Sequence, residues 1–187
     1  MNTLVDIARG ALSRGAIDNL SFWAHEPTDQ TRRTLDEALP LSVVAMADKA
    51  RGGGAATLLR QLQASGIQPL DERDLGHAVA DPVATQRLVG NNGFANQLFG
   101  SKLDRVVDRL SADAGVSQGS ASKLLGVATS MVAGLVGKTV ASRHLDAEGL
   151  GRFLGEQERA VSEMVPASLV REVVPPIVEV PVTATRT

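Results

Sequence analysis

A helix-start signal followed by a long apolar helix occurs twice in this chain, first around Thr28 to Ala50 and again at Ser117 to Val140. The register holds across Thr28/Ser117, Thr31/Ser120, Leu35/Leu124, Ala38/Val127, Val43/Val132 and Lys49/Lys138, a displacement of 124 − 35 = 89 positions. Self-similarity at a fixed displacement indicates a duplicated helical unit. It describes architecture and is silent about chemistry.

Aromatic residues make up 3% of the 187 positions and tyrosine is absent, so the core is expected to consist of Leu, Val, Ala and Met. Apolar spacings of three and four are common, and β-branched alternation is scarce before the C-terminal tail. The expected fold is all-α: two tandem related multi-helix units packed as one compact helical domain, followed by an extended Val/Pro tail. The units are placed at residues 1–65 and 101–169, the connector with short helices at 66–100, and the tail at 170–187.

Within the first unit, Leu4, Ala8, Ala11, Leu12, Ala16 and Leu20 keep to one face of a first helix ending near Trp23 to Glu26, with Phe22 and Trp23 as anchors against its neighbour. Glu26-Pro27 interrupts it, because a residue before proline is pushed away from helical angles. Thr28 is expected to cap the next helix, and Pro40 to kink or divide it. Gly52-Gly53-Gly54 ends it, and Ala55 to Ala64 forms a further short helix.

In the connector, Asp81-Pro82 starts a helix to about Val89, Asn91-Asn92-Gly93 is a turn, and Leu70, Leu75, Leu88, Phe94 and Phe99 pack on the body. The second unit runs from Leu103 through Gly115 and the Ser117 cap into the second long helix. Gly126, Gly134 and Gly137 cost about 1 kcal/mol each in a helix interior, which suggests close approach by a neighbouring helix. Asp146 caps a short helix containing Leu150 and Phe153, and a further amphipathic segment spans Gln157 to Val165. From Val173 the run Val173-Val174-Pro175-Pro176-Ile177-Val178-Glu179-Val180-Pro181-Val182 disfavours helix. It reads either as a linker or disordered tail, or as a docking peptide on a partner.

Several functional classes find little support. A net charge of -2 supplies no electrostatic excess for nucleic acid or acidic membrane. With no cysteine, disulfides, thiolate metal sites and thiol nucleophiles are absent, in keeping with a reducing compartment. The apolar stretch Leu124 to Gly137 is short of the ~20 residues a bilayer requires, and Met1 to Gly10 lacks a signal-peptide pattern. A cytoplasmic protein with no transmembrane segment is expected.

Candidate chemistry is sparse. Gly134-Leu135-Val136-Gly137-Lys138-Thr139 resembles the end of a P-loop, but Val132 stands where the first glycine belongs, inside an apolar helix. Lys49 and Arg51 flank the Gly52 to Gly54 run, an arrangement explained more simply by a helix end. His25, His77 and His144 show no ligand spacing, no Gly-x-Ser-x-Gly elbow is present, and Asp71, Glu72 and Asp74 with Arg73 look like a solvated turn. No catalytic, cofactor-binding or metal-ligating residue is assigned.

Leu110 to Leu124 has the cadence of a helix-turn-helix, with a turn at Gly115. Its outward face carries Ser117, Gln118, Gly119, Ser122 and Lys123, where one lysine offers little attraction for phosphates. The corresponding face of the first unit holds Asp29, Gln30, Arg32 and Arg33.

The order and spacing of Met1-Asn2-x-Leu4, Arg14-Gly15-Ala16-Ile17, Ala38-Leu39-Pro40, Gly52-Gly53-Gly54-Ala55, Leu98-Phe99-Gly100-Ser101-Lys102-Leu103, Gly115-Val116-Ser117 and Ser120-Ala121-Ser122-x-Leu124-Leu125 resemble the bacterial YidB-like domain-of-unknown-function family, DUF937, over about residues 1–169. The resemblance implies an all-helical fold with homeodomain-like packing and no established activity, cofactor or catalytic residue. It also implies that relatives often carry a C-terminal peptidoglycan-binding domain, to which the tail would be the linker. The expected function is a non-enzymatic scaffold or adaptor acting through an unidentified protein partner. Val173, Val174, Pro175, Pro176, Ile177, Val178, Val180 and Val182 are the candidate docking residues. The alternative is a DNA-associated protein using Ser117, Gln118, Ser122 and Lys123.

Overall fold

A computed structural model describes residues 2–90 and 93–174. Helices α1 (Leu4–Ala11) and α2 (Arg14–Ala24) precede the first long helix, α3 (Thr28–Ala50), and α4 (Ala55–Ala64) follows it after a 3-10 turn at Arg51–Gly53. Helices α5 (Glu72–Ala80), α6 (Pro82–Val89) and α7 (Gly93–Phe99) form the middle. Another 3-10 turn, Gly100–Lys102, leads to α8 (Leu103–Ala114), α9 (Gln118–Arg143), α10 (Ala147–Val161) and α11 (Ala167–Val173). The fold is all-α, with no strand among the described residues.

Helices α3 and α9 pack against each other at the centre, and α8, α10 and α11 cover α3. Leu35 and Leu124 are both fully buried. Between the two long helices a pair of hydroxyls is also buried: Ser42 Oγ lies 3.2 Å from Thr129 Oγ1. Ser42 donates to the Ala38 carbonyl at 2.7 Å, so Thr129 is the donor of the pair. Helices α2 and α8 begin at Arg14 and Leu103, again 103 − 14 = 89 positions apart.

Pro40 neither ends nor divides α3, which is continuous from Thr28 to Ala50. Its missing N–H releases the carbonyl four residues back, at Asp36. Arg9 from α1 reaches that carbonyl with Nη2 at 3.4 Å while its Nε stands 3.2 Å from the Asp36 carboxylate. A contact from outside the helix thus takes over the ladder bond that proline removes.

Other expectations are corrected by local geometry. The first amphipathic run is two helices, because Leu12 leaves helical angles (ψ 67) and Ser13 caps α2 by accepting from the Ala16 amide at 3.2 Å. Thr28 is the first residue of α3 and not its cap; Pro27 takes that position, with no side-chain bond. Asp71 to Asp74 is solvated as expected but is a helix start and not a turn, since Asp71 accepts from the Asp74 amide at 2.9 Å and caps α5. The two segments expected after Asp146 are one helix, α10. Helical structure also continues through Val173, past the expected start of the tail at residue 170. The Asn91-Asn92 half of the expected turn lies outside the described residues; Gly93 opens α7.

Two of the interior glycines of α9, Gly134 and Gly137, are approached by an irregular segment and not by a helix. A Cβ on Gly134 would stand 3.1–3.3 Å from three atoms of Leu70, and one on Gly137 would stand 3.8 Å from Pro69. The Leu70 amide donates to the Gly134 carbonyl at 3.0 Å, which ties the connector to α9. At 26 residues α9 extends well beyond the apolar stretch Leu124 to Gly137, and 72% of its most apolar part is buried by neighbouring elements.

Candidate functional site

The start of α9 holds the residues singled out as a helix-turn-helix face, and three of them, Ser117, Gln118 and Lys123, contact neighbouring helices while remaining exposed. Gly115 ends α8 in the left-handed region (φ 72), a conformation glycine adopts at little cost. Ser117 then caps α9, its Oγ accepting from the Ser120 amide at 3.1 Å. The Ser117 amide donates to Glu26 Oε1 at 3.0 Å, and Ser120 Oγ donates to the Ala24 carbonyl at 2.9 Å. Gln118 Nε2 is bound to Asp108 Oδ1 at 2.6 Å, Lys123 stands 5.5 Å from the Trp23 ring centre, and Ser122 is half-buried.

The end of α2 therefore docks on the start of α9. At the start of α3, the Gln30 side chain lies 3.9 Å from where a Cβ on Gly115 would stand, at the end of α8. Glu26, which the sequence marks only as a helix interruption, supplies an acceptor to a helix 91 residues away. No local pattern signals such a cap, because its two partners meet only after α2 and α9 have packed.

The Ser117 amide and then the Ser120 hydroxyl hold the Glu26 carboxyl below its ordinary value of 4.5, against an opposing effect of burial. A lowered acid pKa stabilises the fold above the unfolded value, and that contribution is lost as pH falls from about 4.5 through the folded value. Glu26→Gln, which keeps an acceptor and removes the charge, is expected to cost about 0.5 kcal/mol at pH 7. Urea titrations at a series of pH values from 7 downward check this: the difference from the unaltered chain should shrink as the pH falls below 4.5.

Phe22 and Trp23 behave differently from each other. Trp23 packs against the core, whereas Phe22 is 76% exposed and so is no anchor between helices. His25 and His144 each sit at a helix C-terminus in the left-handed region, and His77 lies in the last turn of α5. Among the described residues no group of three or more His, Asp or Glu is placed to hold a metal ion. The P-loop-like residues Gly134 to Thr139 lie inside α9, without the exposed turn of amides that a phosphate cradle needs. Gly52 and Gly53, with φ of 60 and 87, serve the turn between α3 and α4.

At the other end of the body, α11 packs on α8 and α3 and buries Leu169 and Val173. Lys102 Nζ donates to the Val173 carbonyl at 2.6 Å. Val173 is thus a packed helix-end residue and not part of a free docking strip, and Val174 is partly buried. The remaining tail candidates, Pro175, Pro176, Ile177, Val178, Val180 and Val182, lie outside the described residues.

Helix caps, buried hydroxyls and lysine-to-carbonyl clamps define an all-helical bundle domain centred on two long helices. The family described as "Bacterial protein of unknown function (DUF937)" matches residues 6–139, and the chain belongs to it. Comparison with curated proteins and with solved structures gives no match.

Proposed function

We propose that this protein is a non-enzymatic helical scaffold or adaptor that works by protein contact, with its C-terminal tail as linker or docking peptide. The observation that carries this reading is the anchored exit of the chain: α11 is packed on the body, and Lys102 clamps the Val173 carbonyl at 2.6 Å, immediately before the Val/Pro run. A proline-rich segment with restricted backbone angles loses little entropy on docking, and a fixed exit raises its effective concentration at a partner held by the body. Phe22 offers the body itself an apolar contact point. The duplicated unit belongs to the same reading, as the source of the central helix pair. So does a cytoplasmic location; the burial of most of the apolar part of α9 supports a core helix over a membrane span.

The DNA-associated alternative draws less support from the geometry. A phosphate approaching the start of α9 would meet the Glu26 carboxylate, with the Asp108 carboxylate engaged by Gln118 close by. Like-signed charge at that position opposes the electrostatic attraction on which such binding depends.

The test compares the full chain with one ending at Val174 in co-purification from the source cell. A partner recovered by the full chain and lost by the shortened one, with equal melting curves, is the expected result. Unchanged recovery removes the docking role of the tail, and the lack of any stoichiometric partner removes the adaptor reading. A gel-shift titration at low salt decides the alternative, since no binding there excludes it.

A further inference from the structure

We infer that the cleft between the last turns of α3, the α7–α8 junction and the end of α11 binds a small phosphate-bearing dianion. The cleft measures about 260 Å³ and is lined by Lys49 and Lys102 together with Ser101, Gln97, Asp48 and Val173. Each ammonium is held by a backbone carbonyl, Lys49 Nζ by Gln97 and Lys102 Nζ by Val173, both at 2.6 Å. An ammonium has three donors, so each lysine retains two for a ligand after that tether. The tethers also fix the position of both charges before anything binds, which lowers the ordering cost of capture.

The charge balance of the cleft is unusual for this acidic protein. Neither lysine has a carboxylate within salt-bridge distance among the described residues. Asp48 is the one carboxylate in the lining, and Arg51 takes it at 3.4 Å while also pairing with Glu158. Two partly buried ammonium groups therefore share one cleft whose single carboxylate, Asp48, pairs with Arg51 and with neither lysine. Burial holds the Lys49 ammonium below its ordinary value of 10.5, as expected of a cation with no counter-ion. The net positive charge attracts a phosphate group, whose oxygens accept charge-assisted bonds from the spare ammonium donors and the Ser101 hydroxyl. Lys102 and the Val173 carbonyl also form the anchored chain exit of the scaffold reading, but the inference does not require a protein partner and is tested by anion binding alone.

The test uses the full chain and sodium phosphate at pH 7.5, with ionic strength held constant by chloride and amide NMR shifts as the readout. Saturable one-to-one binding is expected, with shifts concentrated at residues 48–49, 97–102 and 173. Lys49→Met and Lys102→Met should each weaken binding by about tenfold or more, while Lys49→Arg keeps it within about threefold. Dispersed spectra of the variants show whether they fold, and Lys49→Gln replaces the methionine variant if that one does not. Propyl phosphate binding more tightly than inorganic phosphate assigns the site to phosphorylated metabolites; equal binding assigns it to free phosphate. Either outcome supports the dianion site. Absence of saturable shifts at these amides, or unchanged affinity in the Lys49→Met/Lys102→Met double variant, overturns it.

Discussion

Leu124→Ala lowers the stability of the folded chain by about 3 kcal/mol, within the usual range of roughly 2–5 for a fully buried leucine. Leu124 has no exposed surface and lies in α9, whose middle is enclosed on all sides. Truncation forfeits the transfer free energy of three carbons and leaves a cavity that rigid helices close only in part. The first long helix, α3, repeats the situation at Leu35, also fully buried. Leu35→Ala is expected to cost the same within about 1 kcal/mol, since both residues sit on the central helix pair. Urea unfolding of both variants checks the claim, and thermal melting should show midpoints reduced by roughly 6–12 °C. A loss below about 1 kcal/mol at either position would contradict the central placement of that helix.

Ending the chain at Pro166 is the second change with a large expected effect, and the contrast with a chain ending at Val174 makes it informative. The shorter version removes Leu169 and Val173, both buried, and uncovers the surfaces of α3 and α8 against which α11 packs. Two such side chains at about 1.5–3 kcal/mol each give an expected loss of roughly 3–6 kcal/mol. The version ending at Val174 keeps α11 and the Lys102 clamp, and should match the full chain within about 0.5 kcal/mol. Denaturant titrations of the two versions measure this directly. Equal stabilities would mean that α11 contributes nothing to the body. The experiment also governs how the tail is tested, because a cut placed after Leu169 disturbs the body along with the tail.

Helix starts were readable wherever a polar residue caps its own helix. Asp81 with Pro82, Ser117 and Asp146 each accept from an amide three residues on, a pattern contained in four consecutive residues. Asp71 uses the same geometry, but the charged run Glu72-Arg73-Asp74 after it reads equally well as a solvated turn. The division between α1 and α2 was hidden for a different reason. Ala8, Ala11, Leu12, Ala16 and Leu20 are all buried, so the apolar spacing runs on across a break in the backbone. Apolar periodicity reports which side chains face the core and not whether the helix beneath them is continuous.

The candidate sites were less legible than the fold. Nothing near Glu26 in the chain suggests that it serves α9, and Lys49 and Lys102 are 102 − 49 = 53 positions apart with no shared motif. Even the carbonyl that Pro40 leaves free has a distant partner, since Arg9 supplies its donor.

The amino-acid order alone determined the helical class, most cap-marked helix starts, the two long central helices and the family resemblance, because each rests on residues within a turn or two of one another. Tertiary structure decided which helix ends meet, how proline is tolerated in α3, where the body ends at Val173, and which two lysines face one cleft. Those outcomes depend on groups brought together from 27 to 91 positions apart, and such proximity arises only from the packing of whole helices.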